Sequence, residues 1–167
     1  MHTPKRIWWA RPGKLCALER PGGGGRSHRP ARRAADIEYL CAHGVRTVVS
    51  LMTTRHNLGE YERAGLDVRH VPLASWDEAR EALPELVALL RREVRPRGAV
   101  AVHANRHTDL PAALCAAYLA DAHGADPLRA LEDAAAAGLD VTPEAYELVQ
   151  PRSAMAAATS SGRSVTT

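Results

Sequence analysis

The side chains best suited to chemistry lie in one short polar segment, residues 103–110, which reads HANRHTDL. An apolar run from Ala99 to Val102 precedes it, and apolar residues recur at the spacing of one helix face from Leu110 onward. This pattern predicts a buried strand, a polar loop and the first turn of a helix. We expect Asp109 to cap that helix. Free backbone N–H groups and the helix dipole converge at such a turn, so the segment has the layout of an anion-binding site.

This segment resembles the signature loop of the cysteine-dependent tyrosine and dual-specificity phosphatases. The family pattern is Val-His-Cys, then five residues that include a glycine, then Arg and a Ser or Thr at the start of a helix. Val102 and His103 match the pattern. The nucleophile position holds Ala104, the glycine position holds His107 and the arginine position holds Leu110. The resemblance therefore implies the frame of this loop without its reactive groups.

The missing groups are those on which the family's chemistry depends. A cysteine thiolate attacks phosphorus while loop N–H groups and an arginine hold the phosphoryl group. The methyl group of Ala104 cannot attack, and Leu110 cannot form the bidentate bonds of an arginine. Asp109 adds negative charge where a dianion would bind, and Arg106 and His107 offset it only in part. We expect a degenerate signature loop made of eight residues: His103, Ala104, Asn105, Arg106, His107, Thr108, Asp109 and Leu110.

A wider resemblance covers roughly residues 7–150 and is to the small atypical dual-specificity phosphatases. These proteins begin with a strand that contains Trp, a Pro-Gly-Lys/Arg-Leu turn and a helix before a Gly-Val-Arg strand. The corresponding segments here are Trp8-Trp9, residues 12–15 (PGKL) and residues 44–51 (GVRTVVSL). The resemblance implies an α/β dual-specificity-phosphatase-like fold.

The general acid of the family follows a strand-ending proline by a few residues. Pro72 and Asp77 stand in this relation, so the resemblance makes Asp77 a candidate remnant acid. An acidic residue there could equally cap the helix that follows it. Both roles for Asp77 stay open on the sequence alone.

Other residues of the loop offer alternative chemistry. Thr108 carries a hydroxyl, but no paired base is evident, and a neutral hydroxyl is a poor nucleophile. His103, His107 and Asp109 could suggest a metal site. The family histidine before the nucleophile supports the loop from within, so the resemblance implies a structural role for His103. We expect neither a metal nor another cofactor.

Apolar periodicity and turn residues predict the order β-β-α-β-α-β-α-β-α-α-α. Two short edge strands should flank the turn at residues 11–13, and a helix should open at Pro84. Alternation of strands and helices indicates a mainly parallel central sheet with helices on both faces. Further strands are expected near 46–51, 66–71 and 99–102, and further helices near 31–43, 58–64, 110–123, 127–137 and 144–150.

Length and composition indicate one globular domain over residues 1–151, followed by a disordered tail at 152–167. Of the 167 residues, 46% are hydrophobic, yet no apolar run reaches the roughly 18 residues of a membrane span. Three dispersed cysteines are typical of a reducing cytoplasm. Residues 1–35 carry nine Lys or Arg against one Glu, although the whole chain has a charge of only +3. This segment either binds an acidic partner or is a solvated arginine-rich face.

Together these features predict a catalytically inactive phosphatase-like protein that acts as a binding or scaffolding module for an unknown protein or phospholigand. The alternative is a phosphoric-ester hydrolase that uses unconventional residues in the same pocket.

Overall fold

The computed structural model describes residues 2–24 and 29–150, so the predicted tail at 152–167 lies outside the described residues and the boundary at 151 stays a prediction. The chain forms five strands and six helices in the predicted order. The strands are β1 (Ile7–Arg11), β2 (Leu15–Leu18), β3 (Val45–Ser50), β4 (Asp67–His70) and β5 (Ala99–His103). The helices are α1 (Pro30–Ala42), α2 (Leu58–Arg63), α3 (Trp76–Glu93), α4 (Asp109–His123), α5 (Pro127–Ala136) and α6 (Pro143–Val149).

The five strands form one sheet in the order β1-β2-β5-β3-β4. All neighbours are parallel except the antiparallel pair of β1 and β2. The predicted mainly parallel sheet is therefore confirmed, with β5 at its centre. The prediction that β2 is an edge strand is wrong, because β2 pairs with β1 on one side and with β5 on the other.

Helices cover both faces of this sheet, as predicted. Successive strand residues point to opposite faces. Leu15 and Ala17 pack in the cluster formed with α3, α4, α5 and α6. Cys16 and Leu18 pack in the second cluster, with residues of α1 and α2. Within the described residues, no helix combines the length and the apolar character that a bilayer crossing requires.

Helix α3 begins earlier than the sequence pattern indicated. It starts at Trp76, and Pro84 lies inside it rather than at its first turn. The helix start is a variant of the capping box, in which the Ser75 hydroxyl accepts the Glu78 N–H at 3.1 Å and the Glu78 carboxylate accepts the N–H of Ala74, one residue before the N-cap, at 2.7 Å. These two hydrogen bonds stabilise a first turn that lies before Pro84, where the sequence pattern had placed the start of the helix.

Candidate functional site

The polar segment at 103–110 lies at the carboxyl end of β5, in the middle of the sheet. Open parallel sheets bind ligands at this edge, because the loops after several strands converge there. A cleft of about 450 Å³ occupies this position. It is lined by residues that follow β3, β4 and β5 and by the start of α6: Leu51, Met52, Thr53, Leu73, Ala74, Ser75, Trp76, Ala104, Asn105, His107, Asp109, Leu110, Thr142 and Glu144.

His103 is fully buried at the end of β5 and supports the loop from below. Its Nδ1 lies 2.7 Å from the Ala104 carbonyl oxygen, so Nδ1 carries the proton and donates. Its Nε2 then accepts from the Tyr61 hydroxyl at 3.3 Å. Burial is the main cause that lowers the pKa of His103 to about 4. The hydrogen bond to Ala104 raises the pKa, and the charges of Arg20 and His70 lower it. The imidazole is therefore neutral and has a structural role.

We expect His103 to make folding sensitive to acid. The unfolded histidine binds a proton near pH 6.5, whereas the folded one resists protonation until about pH 4. The free energy of unfolding should therefore be complete above pH 6.5 and fall as the pH drops toward 4. The loss from this one residue should be about 2 kcal/mol at pH 5 and on the order of 3 kcal/mol at pH 4. Urea unfolding at pH 7.5, 6.0 and 5.0 measures it.

Two variants separate this effect from general acid denaturation. His103→Asn should lose stability at every pH but show a flatter pH dependence. His56→Asn, which changes an exposed histidine in the β3–α2 loop, should retain the slope of the original chain. An unchanged slope in His103→Asn would contradict the assignment.

The tip of the loop is held by backbone contacts with the segment after β2. Asn105, Arg106 and His107 are exposed, and the Asn105 carbonyl oxygen accepts the Arg20 N–H at 3.0 Å. A Cβ added to Gly24 would lie 2.4 Å from the Cβ of Arg106, so the two backbones are in close contact. His107 has a negative φ, because Asn57 is the one described non-glycine residue with a positive value. Histidine at the glycine position thus causes no left-handed strain here.

Thr108 and Asp109 are buried and bind the connection between α5 and α6. The Thr108 hydroxyl accepts the Asp140 N–H at 2.8 Å. One carboxylate oxygen of Asp109 accepts the Leu110 N–H at 2.9 Å, and the other accepts the Thr142 hydroxyl at 2.9 Å. The N-cap of α4 is Thr108, so the prediction of Asp109 as the cap is wrong by one residue. Asp109 instead places a carboxylate in the first turn of α4.

Asp77 lies in the first turn of α3, one residue beyond the cleft residue Trp76. Its side chain is 91% exposed and lies 3.5 Å from Arg80. Ser75 is the N-cap, so the alternative role of Asp77 as the cap is wrong. Its role as a remnant acid stays a prediction.

The cleft has an unusual set of charges for a phosphate site. Asp109 and Glu144 contribute carboxylates, and His107 contributes an imidazole. Among the described residues, no Lys or Arg lines the cleft. Arg106 is exposed beside the loop but outside this lining. The remaining walls are mainly apolar, so the cleft favours an apolar ligand and opposes a dianion.

No cysteine compensates for the alanine at the nucleophile position. Cys16 and Cys115 are fully buried in the core, and burial raises the pKa of both thiols, which opposes the reactive thiolate. Cys41 is exposed on α1, on the opposite face from α3–α6. Across residues 2–24 and 29–150, no group of three His, Cys, Asp or Glu side chains is arranged to hold a metal ion.

The described part of residues 1–35 belongs to the domain, since it includes β1, β2 and the start of α1. Several of their cations have acidic partners within the domain. Arg6 lies 2.8 Å from Asp140, and Arg32 lies 3.7 Å from the buried carboxylate of Asp36. These ion pairs reduce the positive charge that the segment offers to an acidic partner. Binding of an acidic partner by residues 1–35 stays a prediction.

The sequence analysis did not identify the cleft residues that lie outside the segment 103–110. The lining residues after β3 and β4, such as Met52 and Trp76, could have been inferred from the convergence of strand ends at one edge of a parallel sheet. Thr142 and Glu144 had no such signal. Thr142 is the N-cap of α6, as a Thr before Pro143 indicates, but its hydroxyl makes no cap hydrogen bond and donates to Asp109.

Solved structures with this fold are numerous, although no family model and no curated protein matches the sequence. Human DUSP28 aligns with 22% identity over 89% of this chain and 93% of its own, with a TM-score of 0.65. PTPMT1 in complex with PI(5)P aligns with 16% identity over 93% of this chain and 99% of its own, with a TM-score of 0.68. TpbA of P. aeruginosa aligns with 20% identity over 89% and 87%, with a TM-score of 0.59. The chain therefore has the α/β fold of the dual-specificity and protein-tyrosine phosphatases.

Proposed function

We propose that this chain is a phosphatase-fold protein without cysteine-phosphatase activity, and that its cleft serves as a binding or scaffolding module. The observation that carries the proposal is the Asp109 carboxylate in the first turn of α4, bonded to the Leu110 N–H and the Thr142 hydroxyl. A phosphoryl group would have to approach the same positive end of the helix. The chain's own carboxylate already interacts with that end and repels a second anion.

The cleft lining supports the proposal in two further ways. Ala104 supplies no electron pair for attack on phosphorus. Leu110, at the position of the family arginine, lines the cleft with an apolar side chain, and no described Lys or Arg replaces it. A bound phosphate would thus lack both its nucleophile and the charge-assisted hydrogen bonds that hold it, each worth about 1.5–3 kcal/mol.

An unconventional hydrolase has less support in the same cleft. Thr108, the nearest hydroxyl in the loop, is fully buried, and its oxygen accepts the Asp140 N–H. Among the described residues, no His or carboxylate is hydrogen-bonded to this hydroxyl to act as a base. Asp77, the remaining candidate acid, points into solvent beside Arg80.

The direct test is an assay with p-nitrophenyl phosphate. The purified chain should release no more p-nitrophenol than a matched blank, because the covalent route is missing. Titration with inorganic phosphate, followed by the backbone amide signals of residues 104–110, should produce no saturable shift below about 10 mM, since a Kd of 1 mM already corresponds to about 4 kcal/mol.

Turnover by the unmodified chain in the presence of a metal chelator would overturn the proposal. In that case, loss of turnover in Thr108→Ala or Asp77→Asn would support the unconventional hydrolase and identify the residue it uses. Unchanged turnover in both variants would indicate a contaminating phosphatase. The proposal would then stand only if further purification removed the turnover.

A further inference from the structure

We infer that the cleft binds a basic segment of a partner protein, which inserts an apolar side chain between the loops and places a Lys or Arg against Glu144. This inference rests on the proposed function, because a working phosphatase cleft would have to accept an anion. It goes further by assigning the ligand a positive charge, whereas a phosphorylated segment is negative.

The apolar part of the argument comes from the walls. Leu51 and Met52 directly follow β3. Leu73 precedes α3, Trp76 is its first residue, and Leu110 lies in the first turn of α4. Trp76, Leu73 and Leu110 are only partly buried, so each offers apolar surface to the cleft. Covering this surface with an aliphatic side chain is favourable, because apolar area leaves water on both partners.

The charge of the cleft points to a cationic neighbour for that side chain. Glu144 is exposed at the start of α6, and within residues 2–24 and 29–150 no cation forms an ion pair with it. The buried carboxylate of Asp109 also lines the cleft, whereas Asp77 lies outside the lining and is paired with Arg80. His107 is the one described basic side chain in the lining. This charge set complements Lys or Arg and repels phosphate or an acidic segment.

The openness of the rim favours a protein segment as the occupant. Thr53 and Ser75 are exposed and come from two different loops around the cleft. Their polar groups can hydrogen-bond to the backbone of an extended segment while one of its side chains enters the cleft. A volume of about 450 Å³ is in the range of small ligand sites, which is sufficient for such a side chain.

The test is an NMR titration of the full chain labelled with ¹⁵N, using three peptides of equal length. Acetyl-Gly-Lys-Leu-Lys-Gly-amide should shift the Trp76 indole and Leu110 amide signals. Replacing both lysines by glutamate should weaken binding at least about fivefold, because the exposed ion pairs are lost and the acidic peptide is also repelled. Replacing the leucine by serine should also weaken binding at least about fivefold, because the apolar contact is lost.

Two variants on one helix provide a matched comparison. Glu144→Gln should weaken binding of the lysine peptide about two- to fivefold. Glu147→Gln, an exposed glutamate of α6 that does not line the cleft, should leave the affinity unchanged. Leu110→Arg should reverse the preference toward the glutamate peptide.

Tighter binding of the glutamate peptide than of the lysine peptide would overturn the inference. Equal effects of Glu144→Gln and Glu147→Gln would also overturn it, as would shifts confined to residues outside the cleft. None of these results bears on hydrolysis of p-nitrophenyl phosphate. The proposed function can therefore stand when this inference fails, and turnover in that assay identifies failure of the proposed function.

Discussion

Combining Ala104→Cys, His107→Gly and Leu110→Arg should give hydrolysis of p-nitrophenyl phosphate at least about 100-fold above that of Ala104→Cys alone. The family chemistry needs a thiolate and a cation that holds the phosphoryl group as charge develops. An arginine at position 110 can form two charge-assisted bonds, each worth about 1.5–3 kcal/mol. About 3 kcal/mol of added transition-state stabilisation corresponds to roughly a hundredfold in rate.

The single replacement should recover little, because the three residues act as one unit. A thiol at position 104 would share the cleft with Asp109 and Glu144, and among the described residues no Lys or Arg lines the cleft to favour its thiolate. Glycine at position 107 is included because the family loop uses a glycine there, although His107 itself is unstrained in this chain. Initial rates at saturating substrate, with and without a chelator, provide the comparison.

The matched control carries Ala104→Ser with the same two partner replacements. It retains the size, charge and hydrogen bonds of the triple variant but lacks the thiolate, so its rate should fall to that of the blank. Equal rates for the serine and cysteine versions would exclude a covalent cysteine route. A triple variant no faster than Ala104→Cys would show that the loop no longer has the geometry of the family frame.

Local sequence signals were sufficient for the order of the elements. Residues 45–51 are a β-branched run between Gly44 and a polar loop, which is typical of a strand buried on both faces. Asp126 followed by Pro127 is typical of a helix start, and the Asp126 carboxylate accepts the Leu128 N–H at 3.1 Å. Such signals depend only on neighbours in sequence, so they can be recognised without knowledge of the fold.

The contacts that define the cleft were not predictable because they join distant parts of the chain. Thr142 and Asp109 are separated by 33 residues, and Tyr61 and His103 by 42. The signal at Thr142 correctly placed the N-cap of α6, but it could not show that the hydroxyl donates to a buried carboxylate and accepts no N–H of the helix. Similarly, Pro84 indicated a helix start, but the capping box at Ser75 stabilises an earlier turn.

Asp109→Ala should lower the free energy of unfolding by about 2–3 kcal/mol. The substitution leaves the Thr142 hydroxyl and the Leu110 N–H without their carboxylate acceptor in a largely buried place, where Asp109 is only 8% exposed. It also removes a negative charge from the first turn of α4. For a domain of this size the melting temperature should fall by about 5–10 °C. Urea unfolding at pH 7.5 and calorimetry measure both quantities.

Asp77→Ala provides the control, because it removes a carboxylate from the first turn of α3 that is 91% exposed. Its cost should be about 0.5 kcal/mol or less. Thr142→Val should be destabilising alone but cost less in the Asp109→Ala background, with a coupling energy of about 1 kcal/mol or more in the double-mutant cycle. Additive costs would mean that the Asp109–Thr142 hydrogen bond contributes nothing to stability. The cleft floor would then owe its shape to packing, and the carboxylate would remain only as a charge that repels phosphate.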